Sequence, residues 1–426
     1  MNNKIKEKEL WKKALDLFPM GVQTASKQPS LFVDGVYPKF IERARGCYIY
    51  DIKGNKYIDL MMGLGPIILG YNHQSTNDAI KKQLDKGMIF SLSSPLEVEL
   101  GELLREVIPN TSNWKYKFAK NGSDVCLASI RVAMSKTNRN HIASNGYHGW
   151  SSDYMASLIR PYGINPFLND FVHEFEFNNL ESVEKILKEH ECACLIIEPQ
   201  ALTAPKEGFL EGVRKLCDKY GTILIFDDVV CGFRVNIAGS IGHFNVVPDI
   251  VLYGKAISNG TPLSVLAGRP EIMNEFENKV FFSGTFGGEC LSIASAIATI
   301  NELKIKDYNH IWDLGNQFKN GLLEMSQGIG LDGFMVQGSA PRMCVKFDEN
   351  KYEDAVGMKD LFFQEMCKSG VFMSNVIYHT FAHTKKDVDF IINASRNAFK
   401  VVKENMGDID KALEGKRSSV GIRKNS

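Results

Sequence analysis

The chain has 426 residues, 44% of them hydrophobic and 23% charged, with 50 Lys and Arg balancing 50 Asp and Glu. This describes an ordinary globular protein large enough for two or three domains, and it lacks the basic excess that marks a nucleic-acid binder. The nine cysteines are an odd number scattered through apolar segments, which predicts reduced thiols in a cytoplasmic protein rather than a disulfide framework. The polar opening MNNKIKEKEL has no signal-peptide core. MMGLGPIILG is too short and too broken by Gly and Pro to span a membrane.

Residues 4–17 read as an amphipathic helix ending at Pro19-Met20-Gly21. Residues 39–60 alternate around the turn Asp51–Asn55 and read as a hairpin, and 75–86 and 96–107 carry helical periodicity. From about 115 to 270, strand patterns (115–119, 141–144, 194–199, 222–227, 249–254 and 264–268) alternate with helical ones (123–136, 179–189 and 209–220). This predicts an α/β fold with a mostly parallel sheet between helices. After a long apolar helix at 287–305, helix, strands and helix suggest a smaller α+β domain. The predicted organisation is an N-terminal segment, 1–60, packing with the small domain; a large domain, 61–308; the small domain, 309–410; and a poorly ordered tail, 411–426.

In such sheets, ligands bind beyond the carboxyl ends of the strands, and three unusual features fall there. Asn121-Gly122-Ser123 starts a helix, where free N–H groups and the helix dipole favour phosphate; taken alone, the segment reads more simply as a plain N-cap by Ser123. TILIFDDVVCGFR puts Asp227 and Asp228 at the end of a hydrophobic strand. Adjacent side chains on extended backbone point opposite ways, so these two do not form an acid/base pair. In PDIVLYGKAISNG, Lys255 stands among small residues after a buried strand, where an ammonium is costly to desolvate. An anion site, a strand-end carboxylate and such a lysine together fit pyridoxal 5'-phosphate, which needs a phosphate cradle, an acid at its pyridine nitrogen and a lysine for a Schiff base.

The ordered motifs NGSDV, GYHGW, IIEP, IFDDVVCGFR, GKAISNG and SGTFGGE resemble those of class III, fold-type I pyridoxal phosphate aminotransferases, and most of all the glutamate-1-semialdehyde 2,1-aminomutase branch. The resemblance spans roughly residues 10–400. It implies a large domain with a mostly parallel sheet and a smaller α+β domain. It also implies Lys255 as the Schiff-base lysine, Asp227 at the pyridine nitrogen, and Gly122 and Ser123 at the phosphate. Tyr147 would stack on the ring with His148 beside it, Val229 would pack on the opposite ring face, and Glu198 would lie near the cofactor. Thr285 would reach the phosphate of a neighbouring subunit, which implies a homodimer with shared active sites.

The expected reaction is transfer of an amino group from an amine donor to a carbonyl acceptor. The alternatives are an intramolecular aminomutase and a non-catalytic homologue, whose usual mark is loss of the lysine or the acid. Two departures from the aminomutase pattern concern the substrate. Gly21-Val22-Gln23-Thr24-Ala25-Ser26-Lys27 ends in Lys where the aminomutase has a carboxylate-binding Arg, and Lys is no bidentate equivalent. The loop QALTAP after Glu198 also differs. The Gly-Val-Gln-Thr opening resembles aminotransferases of carbohydrate pathways. In HECAC, His190, Cys192 and Cys194 are closely spaced but run into a buried strand with no second cluster at zinc spacing, so no metal is expected.

Overall fold

The computed structural model describes residues 3–152, 154 and 162–418, so the end of the expected tail, 419–426, lies outside the described residues. The chain divides into two compact units, one of residues 1–73 with 309–426 and the other of residues 74–308. Among the described residues, no helix is long and apolar enough to cross a membrane.

The first unit opens with the helix Asn3–Leu17 and the strands β1 (Ile41–Arg45), β2 (Tyr48–Asp51) and β3 (Lys56–Asp59). These form an antiparallel meander, one strand more than the expected hairpin. The Asp51 side chain organises the second turn, accepting the N–H groups of Lys53 at 2.9 Å and Asn55 at 2.8 Å.

The second unit is built on seven strands: β4 (Lys115–Ala119), β5 (His141–Asn145), β6 (Val172–Glu174), β7 (Cys192–Ile197), β8 (Ile223–Asp227), β9 (Ile250–Tyr253) and β10 (Ser264–Gly268). Their order is β4-β10-β9-β8-β7-β5-β6. β6, β5, β7, β8 and β9 pair in parallel, while β10 runs antiparallel to both β9 and β4. Hence every strand except β10 points the same way, and six carboxyl ends share one edge. β7, β8 and β9 are buried at every position, as strands covered on both faces must be. The helix Gly122–Thr137 buries Val125, Ala128, Ile130, Val132 and Ala133 in one core with Ile196, Ile225 and Leu252.

The C-terminal part of the first unit contributes β11 (Phe334–Ser339), β12 (Arg342–Phe347), β13 (Val371–Phe372) and β14 (Ile377–Tyr378). β13 joins the meander in parallel with β3, and β11, β12 and β14 make a second sheet. The helices Asn309–Gly328, Ala355–Lys368 and Lys385–Glu404 pack around Phe334, Phe362 and Phe399. Ring centroids there lie 4.8 Å apart for Phe334–Phe399 and 4.7 Å for Phe362–Phe399. Phe399 is fully buried, so truncation removes transfer energy and leaves a cavity. Phe399→Ala is expected to cost about 3–5 kcal/mol, read as a lower urea midpoint for the transition of this unit.

Candidate active site

The shared carboxyl edge of the seven-stranded sheet gathers the site. Asp227 is the last residue of β8, Lys255 follows β9, Glu198 follows β7, Tyr147 and His148 follow β5, and Gly122 follows β4. Residues from five segments, far apart in sequence, are thereby brought to one rim.

Asp227 is buried and held on both carboxylate oxygens. Its Oδ2 lies 2.7 Å from His148 Nδ1 and 3.5 Å from Cys126 Sγ, and its Oδ1 accepts the Val229 N–H at 3.2 Å. The other ring nitrogen of His148, Nε2, lies 2.9 Å from the Asn145 carbonyl. Both neighbours of this buried imidazole are acceptors. Each ring nitrogen therefore faces a group that takes a hydrogen bond. His148, expected beside the ring, is therefore the residue that orients the acid.

Asp228 takes the opposite direction. It is fully buried against Ser240, whose N–H and Oγ donate to Oδ2 at 2.7 Å and to Oδ1 at 2.6 Å. Burial pushes its carboxyl from the ordinary 3.8 up to about 7; the Ser240 bonds oppose the rise, and the charges of Asp227 and Glu198 add to it.

At the helix start, Asn121 rather than Ser123 occupies the N-cap position, and Asp124 reaches back to the Asn121 N–H at 2.9 Å. Ser123 Oγ accepts the Trp150 N–H at 3.2 Å, and the N–H groups of Gly122 and Ser123 have no acceptor among the described residues. Val229 sits between two glycines. A Cβ on Gly122 would fall 2.9 Å from its Cγ1, and one on Gly254 would fall 3.1 Å from it. Glu198 is almost fully buried beside Gly146, where a Cβ would meet Glu198 Oε1 at 3.4 Å and the His148 ring at 3.7 Å. Tyr147 is half-buried.

Lys255 is half-buried and makes no hydrogen bond or ion pair with a described residue. Its backbone has φ +44°, a left-handed conformation unusual for a side chain of this size. Thr285 is exposed and makes no hydrogen bond to Lys255 or Ser123 among the described residues. It lines a separate groove of about 1230 Å³ with Phe118, Lys120, Val98 and Phe286. Neither Lys255 nor Asp227 lines that groove.

The model of the aminotransferase class-III family matches residues 33–332, well over half of the chain. The chain belongs to the class-III aminotransferase family. Glutamate-1-semialdehyde 2,1-aminomutase 2 of Lachnoclostridium phytofermentans is 32% identical over 416 residues, 90% of this chain and 96% of that protein. Among solved structures, FumI of Sphingopyxis sp. MTA144, in its PLP internal aldimine form, is 26% identical with a TM-score of 0.88, covering 96% of this chain and 98% of that one. An omega-transaminase from Sphaerobacter thermophilus shares the fold at 23% identity and a TM-score of 0.84, over 93% of this chain and 98% of that one. This is the fold-type I architecture, in a PLP-dependent enzyme of the aminotransferase or aminomutase type.

The rim suits that cofactor in its own right. Two backbone N–H groups at a helix start are left for an anion, a buried carboxylate is fixed by His148, and a lysine amine is unengaged. Gly122 and Gly254 leave the space between them to the Val229 side chain. Sequence reasoning missed Cys126, Asn145 and Ser240, which hold the two aspartates and His148; no local motif marks them.

Asp228 has a pH signature with a definite sign. A carboxyl whose folded pKa lies above its unfolded value binds more protons in the native state, so its contribution to stability falls as pH rises between about 4 and about 7. In Asp228→Asn, the amide oxygen still accepts the Ser240 N–H and the amide nitrogen donates to Ser240 Oγ. The expected outcome is a flatter Tm–pH curve over that window, with the variant gaining on the natural protein toward neutral pH, measured by differential scanning calorimetry.

Proposed function

We propose that the enzyme is a transaminase using Lys255, Asp227 and the Gly122–Ser123 helix start as its cofactor machinery. The observation that carries this reading is their meeting at one sheet edge, with Lys255 unengaged and its backbone strained. When bound, pyridoxal 5'-phosphate supplies an electron-withdrawing ring and a carbonyl carbon through which an amino group passes between two substrates. Lys255 provides the amine that anchors the cofactor. Once free, its Nζ takes the proton from the substrate Cα and returns one on the far side of the transfer. Asp227, held by His148, would face the ring nitrogen and keep a proton there. The N–H groups of Gly122 and Ser123 would bind the phosphate, helped by the helix dipole. Val229 would pack on one ring face and Tyr147 on the other, with Glu198 near the cofactor.

Strain at Lys255 supports the assignment, because a left-handed lysine costs about 1–3 kcal/mol and persists where surrounding structure enforces it. Lys255→Ala is expected to abolish the visible cofactor band of the purified protein and to lower turnover by at least about 10²–10⁴-fold. Retained turnover would show that another amine does the work.

The partners of this reaction are an amine donor and a carbonyl acceptor, with a carbohydrate-type acceptor supported by the Gly21–Lys27 segment. Lys27 stands where the aminomutase pattern has an arginine. The second reading, an intramolecular aminomutase, is favoured by the name of the 32% identical relative. A screen of amine donors against keto acceptors, nucleotide-linked keto-sugars and glutamate semialdehyde included, separates the two. Product formed from one substrate, with no second donor or acceptor, would overturn the transaminase reading. Cytoplasmic residence is supported by the absence of disulfides among the nine cysteines.

A homodimer with shared active sites completes the proposal. Met88, Phe90, Leu92, Val98, Phe281 and Phe286 are all exposed in two neighbouring segments, joined where the Cys290 N–H meets the Met88 carbonyl at 2.7 Å. Exposed apolar side chains in such a group mark an interaction surface, and Thr285 lies within it. The double variant Phe90→Glu, Leu92→Glu is expected to run as a monomer in light scattering and to lose turnover. A dimer of unchanged mass would refute this face as the interface.

A further inference from the structure

The opposite end of the seven-stranded sheet carries a second cluster of reactive side chains. His141 opens β5, His173 lies in β6, and His190 ends the helix Leu180–Glu189 just before β7. These strands are neighbours at the sheet margin, in the order β7-β5-β6. Register explains the meeting. Ala143 pairs with His173 and His141 with Cys192, and side chains two apart share a face, so His141 lies on the face of His173. His190, two residues before Cys192, completes the group. Cys192 and Cys194, its companions in HECAC, are fully buried in β7 and take no part.

His141 Nδ1 lies 3.0 Å from His173 Nε2. The rings of His173 and His190 stack with centroids 3.7 Å apart at 7°, and the His141 and His190 centroids are 5.0 Å apart. One ring nitrogen from each residue falls within 4.8 Å of those of the other two. Two nitrogens at about 2.0–2.1 Å from a tetrahedral ion are about 3.3–3.4 Å apart, so a modest splaying of the stacked pair and a slight opening of the His141–His173 contact bring three lone pairs to one point. All three residues are half-buried, which leaves a path for an ion and a place for water.

The geometry points to a binding site for a divalent late first-row transition metal, Zn²⁺ foremost, held by His141, His173 and His190. Three neutral imidazoles with an open position are a ligand set suited to zinc, copper or nickel and poorly suited to magnesium or calcium. The Glu189 carboxylate is near enough to act on His173 and adds a negative charge beside the ion. The site would tie the three-residue edge strand β6 to β5 and to the entry of β7. β5 leads directly into Gly146-Tyr147-His148, so the tie would act on the far anchor of the active-site rim and not on the reaction itself.

The test uses untagged, cofactor-loaded enzyme freed of metal by chelator and then titrated with Co²⁺ and Zn²⁺ separately. The expected result is one ion per chain, with Co²⁺ d–d bands to the red of the cofactor absorption and an upward Tm shift with Zn²⁺. Single variants His141→Asn, His173→Asn and His190→Asn are expected to bind at least about 100-fold more weakly, with the cofactor band unchanged. Zinc-edge X-ray absorption on the natural sequence reads the ligands without relying on any variant, and three imidazole nitrogens at about 2.0–2.1 Å are expected. Failure to bind Co²⁺, binding that survives all three substitutions, or a shell of oxygen or sulfur alone would overturn the site.

Discussion

A carboxylate buried at the end of β8 is the constraint on which the rest of the rim depends. A carboxyl buried inside the protein needs hydrogen-bond partners on both oxygens, and Asp227 obtains them from His148, Val229 and Cys126. To deliver His148, the chain after β5 must turn sharply and then pass close to the helix start. Gly146 and Gly149 make that turn at φ +103° and +95°, and a Cβ on Gly149 would sit 2.6 Å from Ser123 Oγ. The backbone that positions the acid is thus the same backbone that closes against the anion site. Fixing one charge shapes the approach to the other.

This coupling explains which parts were legible in the sequence. β7, β8 and β9 announce themselves because strands covered on both faces are continuous apolar runs, and the polar residues that interrupt such runs at their ends stand out. Lys255 and Asp227 are visible for that reason. β6 escaped notice because three residues, Val-His-Glu, carry no periodicity. The helix Ala355–Lys368 escaped because it is buried on nearly every side, Asp360, Gln364 and Glu365 included, and so shows no polar stripe. The partnership of His148 and Asp227 spans 79 positions, and the histidine cluster is drawn from three segments. Tertiary register creates both, and neither has a local signature. The Gly122–Ser123 alternatives were separable only in three dimensions, where Asn121 took the capping position and left the Ser123 hydroxyl to the 149–150 turn.

The two adjacent aspartates show how little of a residue's chemistry lies in its type. Asp227 and Asp228 share a backbone and a burial depth, yet one is matched with an imidazole and the other with a serine. Hydrogen bonds from a neutral hydroxyl and an amide stabilise an anion, but they do not replace a counter-charge in a medium of low polarity. Asp228 is therefore pushed toward neutrality by burial. Their separation is enforced by the alternation of an extended chain, which continues until Val229, where the side chain returns to the site and wedges between Gly122 and Gly254. Asp228 thus points at Ser240, while 227 and 229 share the opposite face. A strand end that alternates in this way can change its outward residue without changing the groups on its inward face.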